Sequence, residues 1–251
     1  MARRSLWPRE HGAYFQLAIP LVVACVLAIA APSCALAGAA ILAFLANEPL
    51  LVVLGHRGPR MLETDGARAR ARLAVLAAGA AALGITGLVL APRDASVAAA
   101  IVAVPAAVVV VLAWRRAEHT LVGELVAAIA LTGASVPVAV AGATPLSTAL
   151  AMWAGWALGF GATVVGVHRV IARHKRAATA IDAVIALGLL AIAVALVADR
   201  HATIALAFPL VAVAAILTVA PPAASRLRAI GIAIVVAGVA SSAVALTGAI
   251  W

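Results

Sequence analysis

The sequence predicts an all-α, polytopic transmembrane bundle of about nine helices, forming one domain over residues 1–251. Two observations carry this. The chain is 66% hydrophobic and only 11% charged, whereas soluble domains are about 45–50% apolar. Its Ala, Val, Leu and Ile fall in uncharged stretches of about 20 residues, each able to cross about 30 Å of hydrocarbon at about 1.5 Å per residue. The connections between these stretches also alternate in charge, as they do when a chain weaves through a bilayer.

Bounded by charge, Pro or Gly, the candidate spans lie near 12–31, 34–54, 73–90, 95–114, 121–142, 146–168, 178–198, 201–220 and 229–250. Sixteen of the eighteen basic residues lie before span 1 or in the connections following spans 2, 4, 6 and 8. The other set of connections holds Arg93 and Arg200. The basic side is cytoplasmic by the positive-inside rule, so the N-terminus is expected inside and the C-terminus outside. The net charge of +9 is then explained by topology and anionic headgroups, with no nucleic acid required. Four Phe and one Tyr offer little base-stacking surface, and Cys25 and Cys34 alone make no disulfide framework. The N-terminal segment lacks a short apolar region ending in a small-residue cleavage site, so no removed leader is expected. The expected location is the bacterial inner membrane, with membrane lipids as partners.

Ionisable groups within a span are costly in lipid and normally face a bundle interior or wet cavity. Span 1 opens Pro8-Arg9-Glu10-His11-Gly12-Ala13-Tyr14-Phe15-Gln16. At about 100° per residue, Arg9, Gly12, Ala13, Gln16 and Pro20 share one stripe and Glu10 and Tyr14 an adjacent one. In one reading Pro8 starts the helix, Glu10 complements its dipole and Tyr14 anchors at the interface. In the other, these groups bind a ligand, with His11 a catalytic candidate and Arg9, Glu10, Tyr14 and Gln16 in contact with substrate. Span 2 carries Asn47-Glu48-Pro49 before Gly55-His56-Arg57. Pro49 leaves the Leu45 carbonyl without its amide donor, so a carboxylate, a carboxamide and a free carbonyl meet at one depth. Either this is a kink satisfied by neighbouring helices, or it lines a cytoplasm-open cavity in which Glu48 binds a cation or moves a proton.

Glu124, one turn into span 5, either complements that helix N-terminus or joins the same site. Asp182 has capping-box spacing from Thr179. Gly155, Gly159, Gly161 and Gly166 in span 6 favour close helix packing. That span exits through His168, Arg169, Arg173 and Arg176, which either snorkel to lipid phosphates or capture an anionic substrate head. No Cys/His metal spacing, HExxH, Walker loop or Gly-x-Ser-x-Gly elbow occurs, and neither metal nor cofactor is expected.

The segments from Pro8 to Tyr14, Asn47-Glu48-Pro49 and Arg57-Gly58-Pro59-Arg60 resemble the YwiC-like family of bacterial membrane proteins, over the whole chain. Nine helices with polar loops after helices 2 and 6, and Arg115-Arg116 ahead of Thr120 and Gly123, are also similar to the UbiA-type intramembrane prenyltransferases. That second resemblance implies a UbiA-like fold and an isoprenoid-handling cavity. Those enzymes hold Mg²⁺ on a prenyl diphosphate with Asp-rich motifs. Leu51 and Gly55 stand where later aspartates belong, and the basic run from His168 to Arg176 replaces the second motif, which implies a degenerate relative.

The combined expectation is a cavity open to the cytoplasm. Its mouth would be lined by the span 1 group (Arg9, Glu10, His11, Tyr14, Gln16), by Asn47, Glu48, His56 and Arg57, by Glu124, and by His168 and Arg169. It would bind or modify an isoprenoid, quinone-, haem- or lipid-linked substrate. Arginines would hold the anionic head and Glu48 would act as the acid-base group. The competing readings are a small-solute or ion transporter coupled through Glu48, and an assembly factor without substrate. The outer half of the spans has almost no polar groups, which favours a one-sided site over a through-pathway.

Overall fold

The computed structural model describes residues 5–8, 11–27, 29–174, 188 and 202–248. It is a helical bundle. The helices are α1 (His11–Leu27), α2 (Ala31–Val53), α3 (Pro59–Leu90), α4 (Arg93–Trp114), α5 (Leu121–Gly133), α6 (Ser135–Ala141) and α7 (Leu146–His174). After a 3₁₀ turn at Ala202–Ala207 comes α8 (Phe208–Val219), and after another at Ala224–Arg226 comes α9 (Leu227–Gly248). Among the described residues six stretches are long and apolar enough to span a membrane, and two shorter apolar helices, Gly12–Leu27 and Ala205–Val219, accompany them. The candidate span at 178–198, with Asp182, lies outside the described residues apart from Gly188.

Three elements differ from expectation, each for a local reason. Helix α3 begins at Pro59, not near residue 73, and its 32 residues reach about 48 Å, well beyond a hydrocarbon core of about 30 Å. An apolar scan finds only its membrane-crossing part. The first four turns are built from good helix formers such as Met, Leu, Glu, Arg and Ala, with Pro at the favoured first position. Helix α7 likewise continues past residue 168 to His174. The fifth span is broken at Ala134 into α5 and α6. Pro137 deprives the Gly133 carbonyl of its amide donor, while hydroxyls engage nearby carbonyls: Thr132 Oγ1 donates to Ala128 O at 2.8 Å and Ser135 Oγ to Thr132 O at 2.7 Å. From α7, Trp153 Nε1 donates to Ile129 O at 2.9 Å, tying the broken helix to its neighbour.

The two heaviest packings pair α2 with α3 and α7 with α8. Helix α3 rests almost wholly on α2, where Gly79 faces Leu42 and Gly87 faces Leu36 so closely that an added Cβ would lie 2.9 and 2.7 Å from those side chains. Helix α7 packs on α8 with its preceding turn. Here Gly155 and Gly159 receive Leu206 and Leu210, and Trp156 and Phe160 stack beside them at 6.1 Å between centroids. Lipid supplies little hydrophobic drive between helices, so this close approach of backbones is what holds them.

At Gly166 an added Cβ would meet backbone, 3.2 Å from Ala214 O, and also Leu217 Cβ at 3.1 Å. Gly166→Val is therefore expected to cost about 1–3 kcal/mol by overpacking. Gly231→Ala, with nothing within 4 Å, should be neutral or stabilising by up to about 1 kcal/mol through helix propensity. Denaturant unfolding in mild detergent, followed by far-ultraviolet circular dichroism, checks both.

Candidate binding site

The end of α2 is shaped by two glycines with positive φ. Leu54 caps the helix and Gly55 (φ +75°) follows. His56 N donates to Leu51 O at 2.9 Å and Gly55 N to Val52 O at 3.0 Å, the paired bonds of a Schellman termination. Gly58 (φ +93°) then turns the chain into Pro59 and α3. Between the glycines, Arg57 folds back along the helix it has just left. Its Nε donates to Glu48 Oε1 at 2.9 Å and its Nη2 to Oε2 at 2.5 Å. Glu48 is 1% exposed. The result is a two-pronged guanidinium–carboxylate pair, the strongest geometry available to such groups.

The end of α4 uses the same device without glycine. Arg116 takes φ +57°. Ala117 N donates to Leu112 O at 2.8 Å and Arg116 N to Ala113 O at 2.9 Å. Thr120 then caps α5, accepting from Gly123 N at 3.1 Å and donating from its hydroxyl to Ala117 O at 2.7 Å. A Cβ on Gly123 would fall on the carbonyl oxygen of Ala117 and 2.8 Å from that of Glu118. Glycine is thus required for the 117–118 backbone to lie on the helix. The two turns meet: His56 Nδ1 is 3.8 Å from Glu118 Oε1.

Below these turns lies a cavity of about 630 Å³. Its polar lining is Gln16 from α1, Asn47 and Glu48 from α2, Arg57, Glu118 and His119 from the two turns, and Glu124 from α5. The remaining wall is mostly apolar, with Leu17, Phe44, Leu73, Val109, Val110 and Leu131 among it. Among the described lining residues there are three carboxylates and one guanidinium, and that guanidinium is engaged by Glu48.

Of the residues singled out from sequence, the structure brings together Gln16, Asn47, Glu48, Arg57 and Glu124. Tyr14 stands behind the wall: its hydroxyl donates to Pro8 O at 3.2 Å and its ring meets Phe44 edge-on at 4.9 Å. Both Pro8 and Phe44 line the cavity. His56 sits one contact away through Glu118. His168 and Arg169 are half-buried on α7, whose contribution to the lining is Val164. Arg9 and Glu10, and the side chains of His11 and Arg173, lie outside the described residues. Sequence reasoning did not assign Glu118 and His119 to the site. The signal was present, as two titratable residues between the Arg115-Arg116 stop and the Thr120 cap. Among the described residues, no group of three or more His, Cys, Asp or Glu is placed to hold a metal ion.

The model of the YwiC-like protein family matches residues 7–139. The chain belongs to the YwiC-like family. The matched stretch runs from α1 into α6 and contains every polar lining residue named above. With its several apolar helices, this YwiC-like protein is a multi-pass membrane protein. No curated protein and no solved structure matches it significantly.

Removing one partner of a buried ion pair leaves an uncompensated charge, at a cost of about 3–5 kcal/mol. Arg57→Met is expected to destabilise this protein by that amount, whereas Glu48→Leu combined with Arg57→Met should recover most of it. Detergent unfolding midpoints of the single and double variants test the difference; equal losses in both would mean the pair itself carries the fold.

Proposed function

We propose that this YwiC-like protein resides in the bacterial inner membrane with its N-terminus inside, and that it binds an amphipathic ligand of the isoprenoid or lipid-linked class in this cavity. The observation that carries the reading is where the cavity opens. Ala43, Ala106 and Val110 line it and are also exposed. Ala43 lies ten residues before the end of α2 and Ala106 eight before the end of α4, about 15 and 12 Å deep at about 1.5 Å per residue. These depths fall within a hydrocarbon layer of about 30 Å. Helix α3 leans on α2 and hardly touches α4, which supports an opening between α3 and α4 that in this reading faces lipid. An apolar tail can enter sideways while a polar head rests against Gln16, Asn47, Glu118, His119 and Glu124.

The lining also bears on the head. Arginines are expected to hold an anionic group; among the described lining residues the one guanidinium, Arg57, is paired with Glu48. Groups that donate hydrogen bonds, such as hydroxyls or amines, suit Asn47, Glu118 and Glu124 better. Glu48 has both oxygens on Arg57, so its role in this reading is to hold the turn. Toward the opposite end, Leu17, Leu21, Leu36, Val136 and Val138 pack into an apolar cluster, which supports a one-sided pocket over a through-pathway.

The test is native mass spectrometry with lipid extraction on protein purified in mild detergent. Wild type should retain a specific isoprenoid or lipid adduct. Val110→Trp, which blocks the apolar opening, should lose it, and Glu118→Ala should weaken it. Wild-type protein that carries no specific lipid would sink the proposal.

A further inference from the structure

The three carboxylates on the cavity wall are not equivalent. Glu48 accepts both donors of Arg57, and Glu124 has a partner. Glu118 makes no such bond. Its Oε2 is buried with no hydrogen-bond partner, and its Oε1 has His56 Nδ1 at 3.8 Å, beyond hydrogen-bond reach. His56 Nδ1 is itself buried and makes no hydrogen bond, so the imidazole does not satisfy the carboxylate. Among the described lining residues the single guanidinium, Arg57, is taken by Glu48.

The position of Glu118 is set by the backbone on both sides of it. Ala117 N donates to Leu112 O at 2.8 Å, the Thr120 hydroxyl donates to Ala117 O at 2.7 Å, and Gly123 leaves room for the 117–118 carbonyls against α5. A fixed carboxylate in a mostly apolar wall is costly to leave without a donor. The low polarity that makes it costly also strengthens whatever bond it does make. A neutral hydroxyl offers one donor. An ammonium offers three and the opposite charge, and charge-assisted bonds are about twice as strong as neutral ones.

We infer, on the reading that the cavity takes an amphiphile from the lipid, that the head it holds is a protonated amine seated on Glu118. The remaining N–H groups have the side-chain carbonyls of Gln16 and Asn47 on the same wall. The tail leaves past Ala43, Ala106 and Val110. This narrows the head from hydrogen-bond donors in general to a cation.

Three probes with one tail and different heads test it: farnesylamine, farnesol and farnesyl methyl ether, each titrated against the full chain in mild detergent by native mass spectrometry. Wild type should bind the amine about tenfold more tightly than the alcohol, and the ether most weakly. Glu118→Gln keeps the shape and an acceptor but removes the charge, and should bring the amine down to the level of the alcohol. Glu124→Gln should preserve the preference. Amine and alcohol bound equally by wild type would overturn the inference while leaving the amphiphile cavity standing, provided that Val110→Trp abolishes both. A preference lost in Glu124→Gln but kept in Glu118→Gln would also overturn it. Loss of all three probes in Glu118→Gln would overturn it as well, since Glu118 would then hold the turn and not the ligand. If wild type binds none of the three, the cavity reading fails and the inference falls with it.

Discussion

The Glu48–Arg57 pair is the interaction on which the rest of the described site depends. Taking two charges out of water costs several kcal/mol each, and only good geometry recovers that. Here it is met by a double hydrogen bond at 2.9 and 2.5 Å. The pair closes the turn between α2 and α3, whose course the left-handed Gly55 and Gly58 set. That course lays α3 along α2, with few contacts to α4. It also presents His56 to Glu118, where the α2–α3 and α4–α5 turns meet.

Both turns are terminations of the same type, reached by different chemistry. After α2 a glycine takes the left-handed position at no steric cost. After α4 an arginine takes it, a conformation uncommon for residues with a Cβ. The Schellman bonds of Arg116 N and Ala117 N and the Thr120 cap hold it there. The strict requirement for glycine moves instead to Gly123, where the backbone of the connection lies against the helix. Polar side chains thereby gather at one end of the bundle, over walls that are apolar to the depth of the hydrocarbon.

Much of this was legible in the chain itself. Apolar run length located the six long spans among the described residues, because crossing hydrocarbon sets a minimum length whatever the neighbours are. Glu48 could be singled out because a carboxylate in a span must find a partner, and Pro49 marked its surroundings as irregular. The identity of the partner was not legible: nine residues separate Glu48 from Arg57, and their meeting depends on the φ of Gly55 and Gly58. The start of α3 at Pro59 was hidden because a hydropathy pattern does not register a helix that continues into water. Glu118 and His119 were overlooked because on a short connection only the turn geometry says whether a side chain points to solvent or into the bundle.

By itself the sequence determined the class, the six long spans among the described residues and the asymmetry of charge along the chain, since all three follow from the transfer of each residue between water and lipid, a property local to the residue. Only the tertiary structure decided which polar groups share a cavity, that Arg57 is engaged by Glu48, and that Ala43, Ala106 and Val110 on the cavity wall are exposed. Those depend on pairwise distances between segments far apart in the chain, set by backbone turns and by glycine contacts between helices. No residue carries that information alone.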